Sequence, residues 1–85
     1  MPVISRFYGV IVAMYYDNRP RHFHVRYGAD QAKCDIRSGA LIIGYIPLRA
    51  RTIVEEWRKA HVDALLANWE LAQEHEVLRR IEPLR

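Results

Sequence analysis

A His-Phe-His segment holds the two residues, His22 and His24, whose type and spacing most directly suggest chemistry. On a β-strand, residues two apart project from the same face, about 6.5–7 Å apart along the chain. Two imidazoles at that spacing can converge on one metal ion, and a catalytic zinc site needs a third protein ligand. Asp35 on the following strand is the first candidate for that ligand, and Asp17 or His61 could also supply it. We expect no cofactor, with a divalent-metal site at this segment as the alternative.

The same two histidines also allow acid–base chemistry without a metal. An unperturbed imidazole titrates near pH 6.5, so His22 and His24 could serve as the base and the acid of a small ribonuclease. A histidine-dependent or metal-dependent enzyme, with these two residues as its catalytic candidates, is therefore one hypothesis for function.

Basic residues surround the histidines and favour a binding surface. Residues 1–52 contain eight Lys and Arg against three Asp, a net charge of +5, whereas residues 53–85 have a net charge of −2. A basic face attracts nucleic acid or an acidic protein. The plainer alternative is a solvated sheet face with no partner. The predicted binding surface comprises Arg21, His22, His24, Arg26, Lys33 and Arg37.

The elements that must position these residues are strands in the first half of the chain. Residues 7–16 are β-branched and aromatic and predict one strand, residues 22–27 and 31–37 alternate between polar and apolar, and residues 41–46 predict a largely buried strand. Alternation places His22 and His24 opposite Phe23 and Val25, which predicts that the histidines face away from the core. We expect three to four antiparallel strands in a β-meander over about residues 7–46.

Two amphipathic helices are predicted for residues 47–75. Pro47 suits a first helical turn, and apolar residues recur at helical spacing after Ala50 and again after Val62. The segment 59–61 is either a break between the helices or a bend in one. Residues 76–85 form a short tail, in which 77–82 predict a short strand or an ordered segment. Layer packing of the sheet on the helices predicts one α+β domain of 85 residues.

Composition excludes several classes of protein. The single cysteine, Cys34, excludes an internal disulfide and a cysteine-rich zinc site. We see no signal-peptide pattern at the start, and no apolar run approaches the roughly 18–20 residues of a spanning helix. We therefore expect a cytoplasmic protein that does not enter a membrane.

Several short segments stand in a characteristic order along the chain, at residues 4–9, 14–16, 20–24, 27–28, 68–72 and 80–84. Together they resemble the bacterial domain of unknown function 4160 family. The resemblance implies a small prokaryotic protein, often encoded beside a member of the domain of unknown function 2442 family, in pairs that invite comparison with toxin–antitoxin modules. It carries over His22, His24, Tyr27 and Gly28 as motif positions without an assigned role.

The leading functional hypothesis is a non-enzymatic interaction module in such a two-gene pair. Its expected partner is a small protein encoded nearby, with nucleic acid as a further ligand of the basic face. Self-association into a homo-oligomer is a third, structural hypothesis. The alternative from a different class is the small histidine- or metal-dependent enzyme.

Overall fold

The computed structural model describes residues 2–85 and confirms the predicted α+β fold. Five antiparallel strands follow one another in the sheet in the order β1-β2-β3-β4-β5, and two helices follow the sheet. Short turns join the strands, so each strand pairs with the next one along the chain. The elements are β1 (Val3–Phe7), β2 (Val10–Ala13), β3 (His22–Tyr27), β4 (Asp30–Asp35), β5 (Leu41–Gly44), α1 (Leu48–Ala60) and α2 (Val62–Gln73).

The first hairpin corrects the prediction of a single strand over residues 7–16. The chain turns at Tyr8 and Gly9, where φ is 47° and 83°, and these two residues join β1 to β2. Two residues with positive φ make the tight turn whose twist suits a hairpin. A tyrosine seldom adopts positive φ, so Tyr8 within an apolar run is a weak turn signal. The sheet consequently has one strand more than the upper number expected.

The core is formed by buried side chains of the sheet and of both helices. The ring of Trp57 in α1 is 5.2 Å from that of Phe7 in β1 and 6.0 Å from that of Phe23 in β3, measured between centroids. All three side chains are buried. Large rings each bury about 150–250 Å², which is how a short chain assembles enough apolar contact to fold.

The helices separate at His61, so the segment 59–61 is a break and not a bend. His61 leaves helical geometry with φ −132° and ψ 25°, and its backbone N–H still bonds to the carbonyl of Arg58. Pro47 precedes the first residue of α1, as the sequence predicted. Among residues 2–85, neither helix has the length and apolar character needed to cross a membrane.

Arg58, a buried cation on α1, fastens that helix to the turn after β4. Its Nη1 donates to the carbonyls of Ile36 at 2.9 Å and Arg37 at 2.8 Å. Its Nε donates to Glu55 at 2.8 Å, and Nη2 contacts the same carboxylate. The guanidinium therefore satisfies two carbonyls of a turn that lies outside the sheet ladder.

The C-terminal segment 76–85 is an ordered tail without the short strand that the sequence allowed. Buried Asn68 exchanges two hydrogen bonds with the backbone of Arg79, at 2.8 and 2.9 Å. The backbone N–H of Ile81 donates to the carbonyl of Ile4 in β1 at 2.8 Å. The tail thus lies against β1, the first edge strand of the sheet.

Candidate functional site

One carboxylate and two imidazoles converge at the beginning of β3. Asp17 lies in the connection between β2 and β3, and His22 and His24 lie on β3 itself. One ligand atom from each of the three side chains lies within 4.8 Å of the other two. These three residues form the cluster that we call the Asp-His-His cluster. It unites both predicted histidines with one of the three candidate third ligands.

The ring of His22 is fixed from both sides. Its Nδ1 lies 2.7 Å from the carbonyl oxygen of Pro20, and because a carbonyl only accepts, Nδ1 carries the proton. Its Nε2 lies 3.2 Å from Oδ2 of Asp17. The ring also packs against Trp69 of α2, at 5.3 Å between centroids, and only 4% of the residue is exposed.

His24 presents a ring nitrogen that nothing satisfies. Its Nε2 has no accessible surface and no hydrogen-bond partner. The ring packs edge-on against Tyr15 at 4.6 Å and against His22 at 5.2 Å. Burial first, and the neighbouring His22 and Lys33 second, lower the pKa of His24 below its usual value. The neutral imidazole is consequently the form favoured at neutral pH.

The two oxygens of Asp17 have different partners. Oδ1 accepts the backbone N–H of Asn18 at 2.8 Å, and this hydrogen bond is the main reason why the pKa of Asp17 lies below its usual value. Oδ2 faces His22 and also lies 3.6 Å from Nζ of Lys33. The carboxylate therefore stays ionised and leaves one oxygen directed at the histidines.

Asp35 and His61, the other candidate ligands, have different surroundings. Asp35 stands opposite His22 in the pairing of β3 with β4, but its Oδ2 accepts the backbone N–H of Ser38 at 2.7 Å. That bond is the main cause of the lowered pKa of Asp35. The ring of His61 packs on Trp57 at 5.4 Å between centroids. Neither residue belongs to the Asp-His-His cluster.

The predicted basic surface is only partly accessible. Arg26 and Arg37 are exposed, and Lys33, Arg21 and His24 are half-buried. His22 is buried, contrary to its expected place on an open sheet face, because α2 covers the start of β3. Of the predicted cations, the exposed ones are therefore Arg26 on β3 and Arg37 in the turn after β4.

The far edge of the sheet carries a surface that the sequence analysis missed. Residues 41–46 were expected to be largely buried, yet β5 is an exposed edge strand in which Ile43 is 64% exposed. Tyr45 and Leu48, which follow it, are also exposed. An apolar run of this length suits a buried central strand as well as an apolar edge, so periodicity alone cannot distinguish them.

A groove runs between this edge and α1. It has a volume of about 840 Å³, and apolar side chains line its floor, among them Leu41 and Ile46. Charged side chains of α1, including Arg51 and Lys59, line its rim. The apolar edge strand and this groove form one continuous feature, which we call the β5 edge.

A comparison with known protein families identifies the family of this chain. The family model described as Domain of unknown function (DUF4160) matches residues 9–70. This chain belongs to that family. The matched DUF4160 segment runs from the β1–β2 turn into α2 and includes the whole Asp-His-His cluster and β5. Searches of curated proteins and of solved structures found no match.

Proposed function

We propose that this DUF4160 protein is a non-enzymatic partner-binding module, one half of a toxin–antitoxin-like pair, that accepts an acidic, extended segment of a small protein along β5. The observation that carries the proposal is the exposed apolar edge strand β5. It pairs with β4 on one side, and among residues 2–85 no strand lies on its other side. An edge strand presents unpaired N–H and C=O groups that can receive another strand. A cytoplasmic location is part of the proposal, since the single cysteine leaves no internal disulfide to maintain.

The two edges of the sheet differ in a way that supports this assignment. The tail lies against β1 through the hydrogen bond from Ile81 to Ile4. At the opposite edge, Ile43 and Tyr45 are mostly exposed, at 64% and 62%. Proteins usually cover or charge an edge strand to prevent unwanted pairing. An edge left apolar and open is therefore best explained by a partner that covers it.

The charges near β5 favour an acidic partner over a second copy of the chain. Residues 36–54 contain Arg37, Arg49 and Arg51 and no Asp or Glu. The three arginines lie before and after β5 and are exposed. Two copies paired through this edge would bring like charges together, whereas acidic residues on a partner would attract them. Nucleic acid bound through Arg26 and Arg37 is the competing use of these charges.

The test is co-expression with the small protein encoded next to this one, followed by purification of the complex. Ile43→Lys should weaken binding by at least roughly tenfold, because a charge on the edge strand opposes strand addition. Val77→Lys is the matched control, since Val77 is an exposed aliphatic residue in the tail, 88% exposed. That variant should bind normally.

The results separate the competing readings. Binding that Ile43→Lys weakens and Val77→Lys leaves intact supports the β5 edge. Binding that both variants retain would place the interface elsewhere and refute the strand-addition proposal. A complex that contains RNA and is dispersed by salt, with Arg26→Glu as the damaging variant, would assign the function to the basic sheet face instead.

A further inference from the structure

We propose that the Asp-His-His cluster is a binding site for one divalent transition-metal ion of the zinc class, held by Asp17 Oδ2, His22 Nε2 and His24 Nε2. The cluster lies two strands from β5, with Lys33 of β4 between His24 and Ile43, and its test requires no partner protein. Three protein ligands with a fourth position open to solvent are the pattern of reactive zinc sites, as opposed to purely structural ones.

The distances between ligand atoms in the cluster are close to those around a bound zinc ion. Two ligand atoms bound to one zinc ion at about 2.0–2.2 Å lie about 3.0–3.5 Å apart. Asp17 Oδ2 and His22 Nε2 already have that separation, at 3.2 Å. One ligand atom from each of the three side chains lies within 4.8 Å of the other two, so binding of one ion requires the His24 ring to approach the other two ligands.

The orientation of His22 is that of a metal ligand. A ligating histidine usually donates its other ring N–H to a carbonyl or carboxylate, which fixes the ring and the tautomer. The bond from Nδ1 to the carbonyl of Pro20 does this and leaves Nε2 directed at Asp17. Packing of the same ring on Trp69 prevents it from turning away.

His24 supplies the observation that a simple ion pair does not explain. A pair between Asp17 and protonated His22 would satisfy those two residues, but His24 Nε2 would still be buried without a partner. A buried nitrogen left unsatisfied is destabilising. A metal ion bound by all three side chains removes that deficit.

Lys33 acts as the counter-ion when no metal is bound. Its Nζ lies 3.6 Å from Asp17 Oδ2, and the side chain is 38% exposed. A flexible lysine at the surface can withdraw into solvent when an ion takes its place. Two imidazoles and one carboxylate suit zinc, cobalt or nickel, whereas calcium and magnesium prefer sites made of oxygen.

The experiment is a calorimetric titration of the untagged, chelator-treated protein with ZnCl2, together with visible absorption during titration with Co²⁺. We expect one ion per chain. Asp17→Asn and His24→Gln should each weaken binding by more than roughly 100-fold, because each removes a ligand and both leave His22 packed on Trp69. His75→Asn is the matched control and should bind as the wild-type protein does, since His75 is exposed and stacks only on Tyr16.

Lys33→Met makes the test independent of folding defects. Removal of the competing ammonium should strengthen zinc binding roughly three- to tenfold, a gain that a misfolded variant cannot produce. Absence of stoichiometric binding in the wild-type protein overturns the proposal. Zinc binding that survives both Asp17→Asn and His24→Gln overturns it as well, because the ion would then be held elsewhere.

Discussion

At the scale of single residues, two buried polar side chains hold irregular segments of the backbone in place. Arg58 satisfies two turn carbonyls, and Asn68 satisfies the backbone of Arg79. Loss of one partner leaves a buried polar group unsatisfied, so such residues matter more for stability than exposed ion pairs do.

We predict that Arg58→Met lowers the free energy of unfolding by about 2–4 kcal/mol. The substitution retains an apolar stem of similar length but leaves the carbonyls of Ile36 and Arg37 without their donor. Urea denaturation followed by circular dichroism measures the change. Lys59→Met, at the neighbouring exposed position, is the control and should alter stability by less than about 0.5 kcal/mol. Equal stability of the two variants would contradict the role of Arg58.

We also predict that the thiol of Cys34 is inert in the folded protein. Burial, and then the nearby carboxylate of Glu55, raise the pKa of Cys34 from 9.0 to about 11. The thiolate is the reactive species, so a thiol reagent at pH 8 should modify the protein only after unfolding. Rapid modification of the native protein at that pH would show that the thiol is accessible.

The raised pKa of Cys34 also makes the free energy of unfolding depend on pH. The unfolded chain loses the thiol proton first, so the stability linked to this group is complete below pH 9 and decreases as the pH rises toward about 11. The loss approaches about 2–3 kcal/mol. Other groups titrate in this range, so the measurement is the difference from Cys34→Ala, in which this part of the decrease should be absent.

The sequence identified the chemistry of single residues better than their surroundings. The spacing of His22 and His24 was sufficient to place both on one strand. It could not choose Asp17 over Asp35 as the third member of the cluster, because the choice depends on how the connection between β2 and β3 turns back. The exposure of His22 was predicted from strand alternation alone, and the cover provided by Trp69 of α2 has no local signal.

At the scale of elements, the tail 76–85 depends on a few specific hydrogen bonds. Asn68 holds Arg79, the indole of Trp57 donates to the carbonyl of Glu82 at 2.8 Å, and Ile81 bonds to Ile4. Four hydrogen bonds from three different elements hold the segment against the domain, although it has no helix or strand of its own. These bonds hold the tail against β1, the first edge strand of the sheet.

We predict that Asn68→Leu releases the tail while the sheet and helices remain folded. The substitution removes both bonds to Arg79 and places an apolar side chain of similar volume at a buried site. Limited proteolysis should then cut within residues 76–85, which contain Arg79 and Arg80, faster than in the wild-type protein. Asn18→Leu, at an exposed position outside this network, is the control. Equal cleavage rates would show that other contacts hold the tail.

Alternating patterns predicted the elements well where turns carried ordinary signals. β3 and β4 were recognised by their period of two, and both helices by their apolar spacing. The hairpin between β1 and β2 was missed because an unusual turn residue, Tyr8, hides it within an apolar run. Such a run gives no information about where the chain reverses.

At the scale of the whole molecule, the two proposed sites lie on different parts of the sheet. The Asp-His-His cluster lies at the β2–β3 connection, beneath α2, whereas the β5 edge lies beyond β4. The groove of the β5 edge reaches core residues such as Phe23 and Ile46, whereas the Asp-His-His cluster packs on Trp69 of α2. The zinc titration needs no partner protein, so the two proposals can fail separately.

Hydrogen exchange of the backbone amides in residues 41–45 is the measurement that tests the strand-addition proposal most directly. We would compare the free chain with its complex with the proposed small protein partner, using mass spectrometry on overlapping peptides. The proposal predicts that these amides exchange more slowly in the complex while those of β1, which the tail already covers, change little. Unchanged exchange across residues 41–45, with protection confined to other segments, would contradict it.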